Sequence, residues 1–160
     1  LDQALDSIHI SFQGKQVFLN DVDVSKEIRT NEISMLTSKV ATNPSVRKKM
    51  VALQQEVAKD KGYILDGRDI CTVVLPDAEV KIYMDASAKA RAERRYKEYI
   101  SQGIQADYET IYQDIVARDY QDSHREISPL VQAKDAIRID TSNLTIDEVV
   151  KEVLELVRKA

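Results

Sequence analysis

The chain is short of residues that fix structure by covalent or special backbone means. Of 160 residues one is cysteine, three are proline, four are glycine and none is tryptophan. The lone Cys71 excludes an internal disulfide framework and agrees with a reducing compartment, so a cytoplasmic location is the expectation. His9 and His124 stand far apart with no Cys or His partner at ligand spacing, which leaves a metal site without its donors. No apolar run approaches the length of a bilayer span, and the first residues show neither a basic stretch nor an uninterrupted apolar one. Membrane partners are therefore not expected. Positive charge is not in excess either: 23 Lys and Arg against 27 Asp and Glu give a net charge of −4. Nucleic acid is accordingly not an expected partner, and any phosphate ligand must be met by locally placed arginines.

What is present reads as an ordinary globular chain, 43% hydrophobic and 31% charged, large enough for one core with small sub-domains. Residues 7–24 alternate apolar and polar positions, with breaks at Gln13-Gly14-Lys15 and Asn20-Asp21, and predict a small antiparallel meander. A helix is expected from about Ser25 to Lys39. A second opens at Asn43-Pro44, carries Val46, Met50, Leu53 and Val57 as its apolar stripe and is closed by Gly62. Three strand-like runs follow, Tyr63–Leu65, Val80–Met84 and Ala136–Ile139. Helices at roughly 87–101 and 107–118 lie between the second and third. A capping box, Thr145 with Glu148, starts a last helix whose buried face is Val149, Val150, Val153, Leu154 and Val157. Strands alternating with helices predict a parallel sheet with helices packed on it.

The chemistry concentrates at Gly67-Arg68-Asp69, where an apolar run ends in a turn. In α/β proteins ligands collect outside the carboxyl ends of parallel strands, and there a guanidinium can grip a phosphate while a carboxylate accepts from a base or sugar. Arg118-Asp119, Asp122 and Arg125 repeat the combination at spacings that share one helical face. For an arbitrary helix such charges are a solvated face laced by ion pairs. Here Arg91 and Arg95 share a face just after the second strand, and Arg47 begins the helix before the Gly-Arg-Asp turn. A phosphoryl-transfer site uses such a surplus, because its transition state spreads negative charge over several oxygens.

Ile64-Leu65-Asp66-Gly67-Arg68-Asp69, Thr72-Val73-Val74-Leu75-Pro76-Asp77-Ala78, Asp85-Ala86-Ser87, Arg91-Ala92-Glu93-Arg94-Arg95, Arg118-Asp119, Asp122, Arg125, Pro129-Leu130 and Asp135-Ala136, in that order, resemble the bacterial cytidylate kinase family. The resemblance runs from about Leu1 to Val157, and residues 8–40 are similar to that family's enlarged nucleoside-monophosphate domain. It implies a nucleoside-monophosphate-kinase-like α/β fold of the P-loop class, incomplete at its N-terminus, with a small α+β acceptor sub-domain. By that reading, 1–60 form the acceptor sub-domain, 61–88 with 119–160 the core sheet, and 89–118 the lid and connecting helices. It implies phosphoryl transfer from ATP, with Mg2+, to CMP or dCMP, and a full-length protein that is a monomer. Ser38, Arg47 and Asp69 would contact the cytosine nucleoside, Arg68 the acceptor phosphate, and Arg118 with Asp122 the sugar and phosphate edge. Arg125 would reach towards the base, and Arg91 and Arg95 would be lid arginines near the donor phosphates. The catalytic set so implied is Arg68, Arg118, Arg91 and Arg95.

Two departures from the family pattern stand out. None of the glycines at 14, 62, 67 and 103 belongs to a G-x-x-x-x-G-K-[ST] loop, so the phosphate cradle, its lysine and its Mg2+-holding hydroxyl have no counterpart in these 160 residues. The chain is expected to be inactive alone, with Tyr63–Leu65 lacking a neighbour while Val80–Met84 still pairs with Ala136–Ile139. A gap on that side is favoured over a slot filled by another segment. The second departure is Cys71, where the family has glycine. A positive φ there would strain a cysteine, and otherwise it is a small buried thiol. A non-catalytic nucleotide-binding or interaction module that kept the acceptor site is the alternative reading, and a domain whose arginines are only surface charge is the plainest one.

Overall fold

The computed structural model describes residues 5–160, so the first four residues of the expected 1–60 sub-domain lie outside it. The chain divides into two compact units, Leu1–Tyr63 and Ile64–Ala160.

In the first unit, β1 (Ile10–Gln13), β2 (Gln16–Leu19) and β3 (Val22–Asp23) form an antiparallel sheet in that order. Ile10 opposes Leu19, Phe12 opposes Val17 and Leu19 opposes Val22, which places the alternating apolar set on one face. The breaks in the pattern are the turns. Asn20 and Asp21 both take positive φ, 47° and 67°, the requirement of a tight two-residue hairpin turn, and the Asn20 side chain accepts from the His9 N–H at 2.8 Å.

The helix expected over 25–39 is divided. A short 3-10 turn, Glu27–Arg29, precedes α1 (Asn31–Val40), and between them Thr30 adopts an extended backbone and accepts from the Ile33 N–H. A threonine hydroxyl offers the backbone this capping bond as an alternative to continuing the helix. α2 (Pro44–Ala58) starts as expected, with the Asn43 side chain accepting from Val46 and proline in the first turn. It ends before Gly62, and of its apolar stripe only Val46 is buried.

The second unit holds a parallel pair, β4 (Ile82–Asp85) and β5 (Ile137–Asp140), in register Ile82 to Ile137 through Asp85 to Asp140. That is the pairing expected for Val80–Met84 and Ala136–Ile139. Tyr63–Leu65, by contrast, forms no strand and has no sheet partner among the described residues, and Ile64 is 94% exposed. Strand geometry is held by a neighbour's hydrogen bonds, and an apolar run without one stays irregular. After it comes a single π-helical turn, Ile70–Val74, in which the Asp69 carbonyl accepts from Val74 and the Ile70 carbonyl from Leu75 at 2.7 Å. Cys71 lies in this turn, half-buried and without a positive φ, so the strained alternative does not apply.

α3 (Ala88–Ser101), capped by Ser87, and α4 (Tyr108–His124), capped by Asp107, pack against one another, with Gly103 at φ +73° between them. α4 continues beyond the expected 118 to His124, so Arg118 and Asp122 both lie within it and Arg125 is its C-cap. α5 (Ile146–Val157) has the full capping box of Thr145 and Glu148. Its expected face is not fully buried. Val149, Val153 and Leu156 are the partly covered positions, whereas Val150, Leu154 and Val157 are exposed.

Candidate active site

Gly67-Arg68-Asp69 enters the π-turn at close quarters: a Cβ on Gly67 would stand 2.9 Å from Ile70 Cγ1. The glycine is needed for that approach, since its φ is not positive. Asp69 is buried, and its carbonyl oxygen accepts from Thr72, Val73 and Val74, which fixes the backbone that carries its carboxylate.

Arg68 reaches across to α4, where its Nε donates to Asp122 Oδ2 at 2.9 Å. The same oxygen lies 3.7 Å from Arg118 Nε, and Oδ1 lies 3.9 Å from Arg125 Nη1. Positions 118, 122 and 125 face one way because they are a helical turn apart. Asp122 is only 2% exposed, while the Arg68 side chain is 44% exposed, so the carboxylate is the buried hub and the guanidinium reaches solvent. Arg125 is tied down further, its Nε donating to the Ser128 carbonyl at 2.6 Å. Arg68, Arg118 and Arg125 thus converge on the buried Asp122 carboxylate, close enough for the guanidiniums to repel one another. Burial, and then the neighbouring Arg68 guanidinium, pull Arg118 below the ordinary arginine value, with Asp122 opposing them. An anion entering beside Arg68 and Arg118 would relieve that repulsion.

The α3 arginines are arranged differently. Arg91 donates from Nη1 to Asp119 Oδ1 at 2.8 Å, from Nη2 to Asp119 Oδ2 at 2.5 Å and from Nε to the Ala86 carbonyl at 3.0 Å. To meet a phosphate it would have to leave Asp119. Arg94 donates to the carbonyls of Thr141, Ser142 and Leu144, holding the loop after β5 against α3. Arg95, 3.8 Å from Glu98 and stacked 5.3 Å over the Tyr99 ring, is held more loosely. Ser38, buried in α1, and Arg47, half-buried in the first turn of α2, belong to the first unit. Of the nine residues singled out from sequence, the structure thus brings Arg68, Arg118, Asp122 and Arg125 together around one carboxylate. Asp119 and Arg94 enter the sequence reading only as members of Arg118-Asp119 and of Arg91-Ala92-Glu93-Arg94-Arg95, without a contact of their own. The signal for Arg94 is its spacing of three from Arg91, which puts both on one side of α3. Among the described residues no group of three His, Cys, Asp or Glu is placed to hold a metal ion.

The sequence model described as Cytidylate kinase matches residues 1–159. This chain belongs to the cytidylate kinase family. Curated cytidylate kinases of Streptococcus pneumoniae, among them those of strains Hungary19A-6 and 70585 and of serotype 2 strain D39, are 54% identical to it over 154 residues, covering 96% of this chain and 69% of theirs. It is thus a nucleoside-monophosphate kinase by family, and the α/β fold with its parallel pair and flanking helices is consistent with that membership. No described helix of this cytidylate kinase relative is long and apolar enough to cross a membrane.

Proposed function

We propose that the chain supplies the CMP or dCMP side of an ATP-dependent phosphoryl transfer that yields CDP or dCDP, and that these 160 residues by themselves do not complete the reaction. The observation that carries this reading is the buried Asp122 ringed by Arg68, Arg118 and Arg125. A phosphate monoester beside Arg68 and Arg118 would ease the repulsion between their guanidiniums, and family membership supports cytidine as the nucleoside. Arg68 holds the acceptor phosphate. Arg118 and Asp122 meet its sugar and phosphate edge, with Asp122 also aiming the guanidiniums, and Arg125 extends towards the base. Asp69 accepts from the exocyclic amine of cytosine. On the resemblance alone, Ser38 and Arg47 contact the nucleoside, and Arg91 and Arg95 serve the donor side. The segments 1–60, 61–88 with 119–160, and 89–118 are assigned as acceptor, core and lid.

In such a transfer the protein positions the reactants and stabilises charge, with no covalent intermediate. Mg2+, when bound, would offset charge on the donor phosphates, and among the described residues no group of three His, Cys, Asp or Glu is placed to hold it. The loop that cradles donor phosphates in this class has no match in the sequence, which supports inactivity of the isolated polypeptide and equally favours, as a second reading, a nucleotide-binding module without catalysis. A cytoplasmic setting agrees with the single free thiol, and a monomeric full-length protein belongs to the same proposal.

A coupled ADP assay separates these statements. The 160-residue polypeptide with CMP, ATP and Mg2+ should give no ADP above background, while the complete gene product should give CMP-dependent ADP. Steady turnover by the isolated chain that Arg68→Ala abolishes would contradict the inactivity, and a complete product without turnover would favour the second reading.

A further inference from the structure

Asp119 stands between Arg118 and the rest of the cluster in sequence but points elsewhere in space. Both its oxygens are occupied by Arg91, at 2.8 and 2.5 Å, and Arg91 in turn holds the Ala86 carbonyl at 3.0 Å. Ala86 follows β4, and its own N–H donates to Asp85 Oδ1 at 2.9 Å. An unbroken line of contacts thus runs from the carboxyl end of β4, through Ala86, Arg91 and Asp119, into α4. Arg118 lies one residue before Asp119 on that helix and Asp122 three residues after it.

We propose that Asp119 is a positioning residue for the acceptor-phosphate site: through the two-pronged contact with Arg91 it fixes the setting of α4 against the β4–α3 junction, so that Arg118 and Asp122 meet Arg68. The inference rests on the kinase reading above for its ligand. A planar guanidinium bonded through both prongs to a carboxylate fixes direction as well as distance, which a single bond or a lysine point charge does not. The pair is also partly wet, with the Arg91 side chain 36% and the Asp119 side chain 40% exposed, and ion pairs at that exposure add little to stability. Its worth is therefore in alignment. Asp119 further tempers the repulsion felt by Arg118, whose value it raises against the effects of burial and of Arg68 and Arg95.

The test uses the 160-residue chain with Asp119→Asn, Asp119→Glu and Arg91→Lys. Asparagine keeps the shape but loses the second acceptor and the charge. Expected for Asp119→Asn are a melting temperature close to the parent's, displaced or broadened Arg68 and Arg118 Nε–Hε NMR signals, and CMP affinity weakened about tenfold, the scale of one lost charged hydrogen bond. Asp119→Glu should recover part of the affinity, and Arg91→Lys should resemble Asp119→Asn. The lysine variant, which keeps the charge, decides the matter if the asparagine variant does not fold. Arg68 and Arg118 signals that stay at their parent positions would overturn the proposal, as would unchanged CMP affinity in a background where Arg68→Ala loses it. If the parent chain binds no CMP yet the arginine signals move, the positioning role stands and the kinase reading fails.

Discussion

At the residue scale, the site is built from one buried carboxylate and one missing side chain. Asp122 organises the arginines, and Gly67 lets the turn before them close onto Ile70. A methyl at position 67 would stand 2.9 Å from Ile70 Cγ1 and 3.1 Å from its terminal Cδ1, and Ile70 is itself buried, which leaves its side chain little room to turn aside. Gly67→Ala is therefore expected to destabilise the chain by about 1–3 kcal/mol through overpacking. Urea denaturation measures this, and an unchanged midpoint would show that Ile70 moves aside freely. Asp69 is buried and, when ionised, only accepts hydrogen bonds, so in the proposed base contact it would match the amine of cytosine and oppose the carbonyl of uracil. The mismatch is worth roughly tenfold to a hundredfold between CMP and UMP. Asp69→Asn, which can donate or accept, should narrow that ratio in competitive binding. Equal loss of both nucleotides would remove Asp69 from base recognition.

At the scale of elements, capping chemistry governs what can be read and what can be perturbed. In the box that starts α5, the Thr145 N–H and then its hydroxyl donate to Glu148, holding that carboxyl below the ordinary glutamate range. A depressed folded value stabilises the helix start at pH above the unfolded value, and this contribution is lost as pH falls through the folded one. Protection of the Thr145 amide, measured against its intrinsic exchange rate, should therefore fall in acid, and Glu148→Gln should remove that acid-dependent step. Thr145→Ala, by loss of the cap, should cost about 1 kcal/mol at neutral pH. Starts of this kind were legible in the sequence, as were the turn residues Asn20-Asp21 and the β4–β5 pairing. Less legible was anything decided by a partner. Tyr63–Leu65 has the composition of a strand but no neighbour to pair with, Thr30 interrupts a run that otherwise reads as helix, and α4 continues to His124 where the pattern weakens. For the site, spacing on one helix brought out 118, 122 and 125. Arg68 Nε on Asp122, 54 residues away, and Arg91 on Asp119 are long-range contacts that no local pattern specifies.

At the scale of the whole molecule, a chain of net charge −4 gathers the guanidiniums of Arg68, Arg118 and Arg125 about the buried Asp122, a local arrangement that suits a small anion better than an extended polyanion. The family match fixes the class of enzyme, while the cluster supplies a physical reason for a phosphate on this part of it. The most direct measurement is a calorimetric titration of the 160-residue chain with CMP, repeated with UMP and with Arg68→Ala. The account predicts saturable binding at one site, weaker binding of UMP, and loss of CMP binding in Arg68→Ala with the fold retained. A folded chain that takes up no CMP, or that binds it equally well without Arg68, would contradict it.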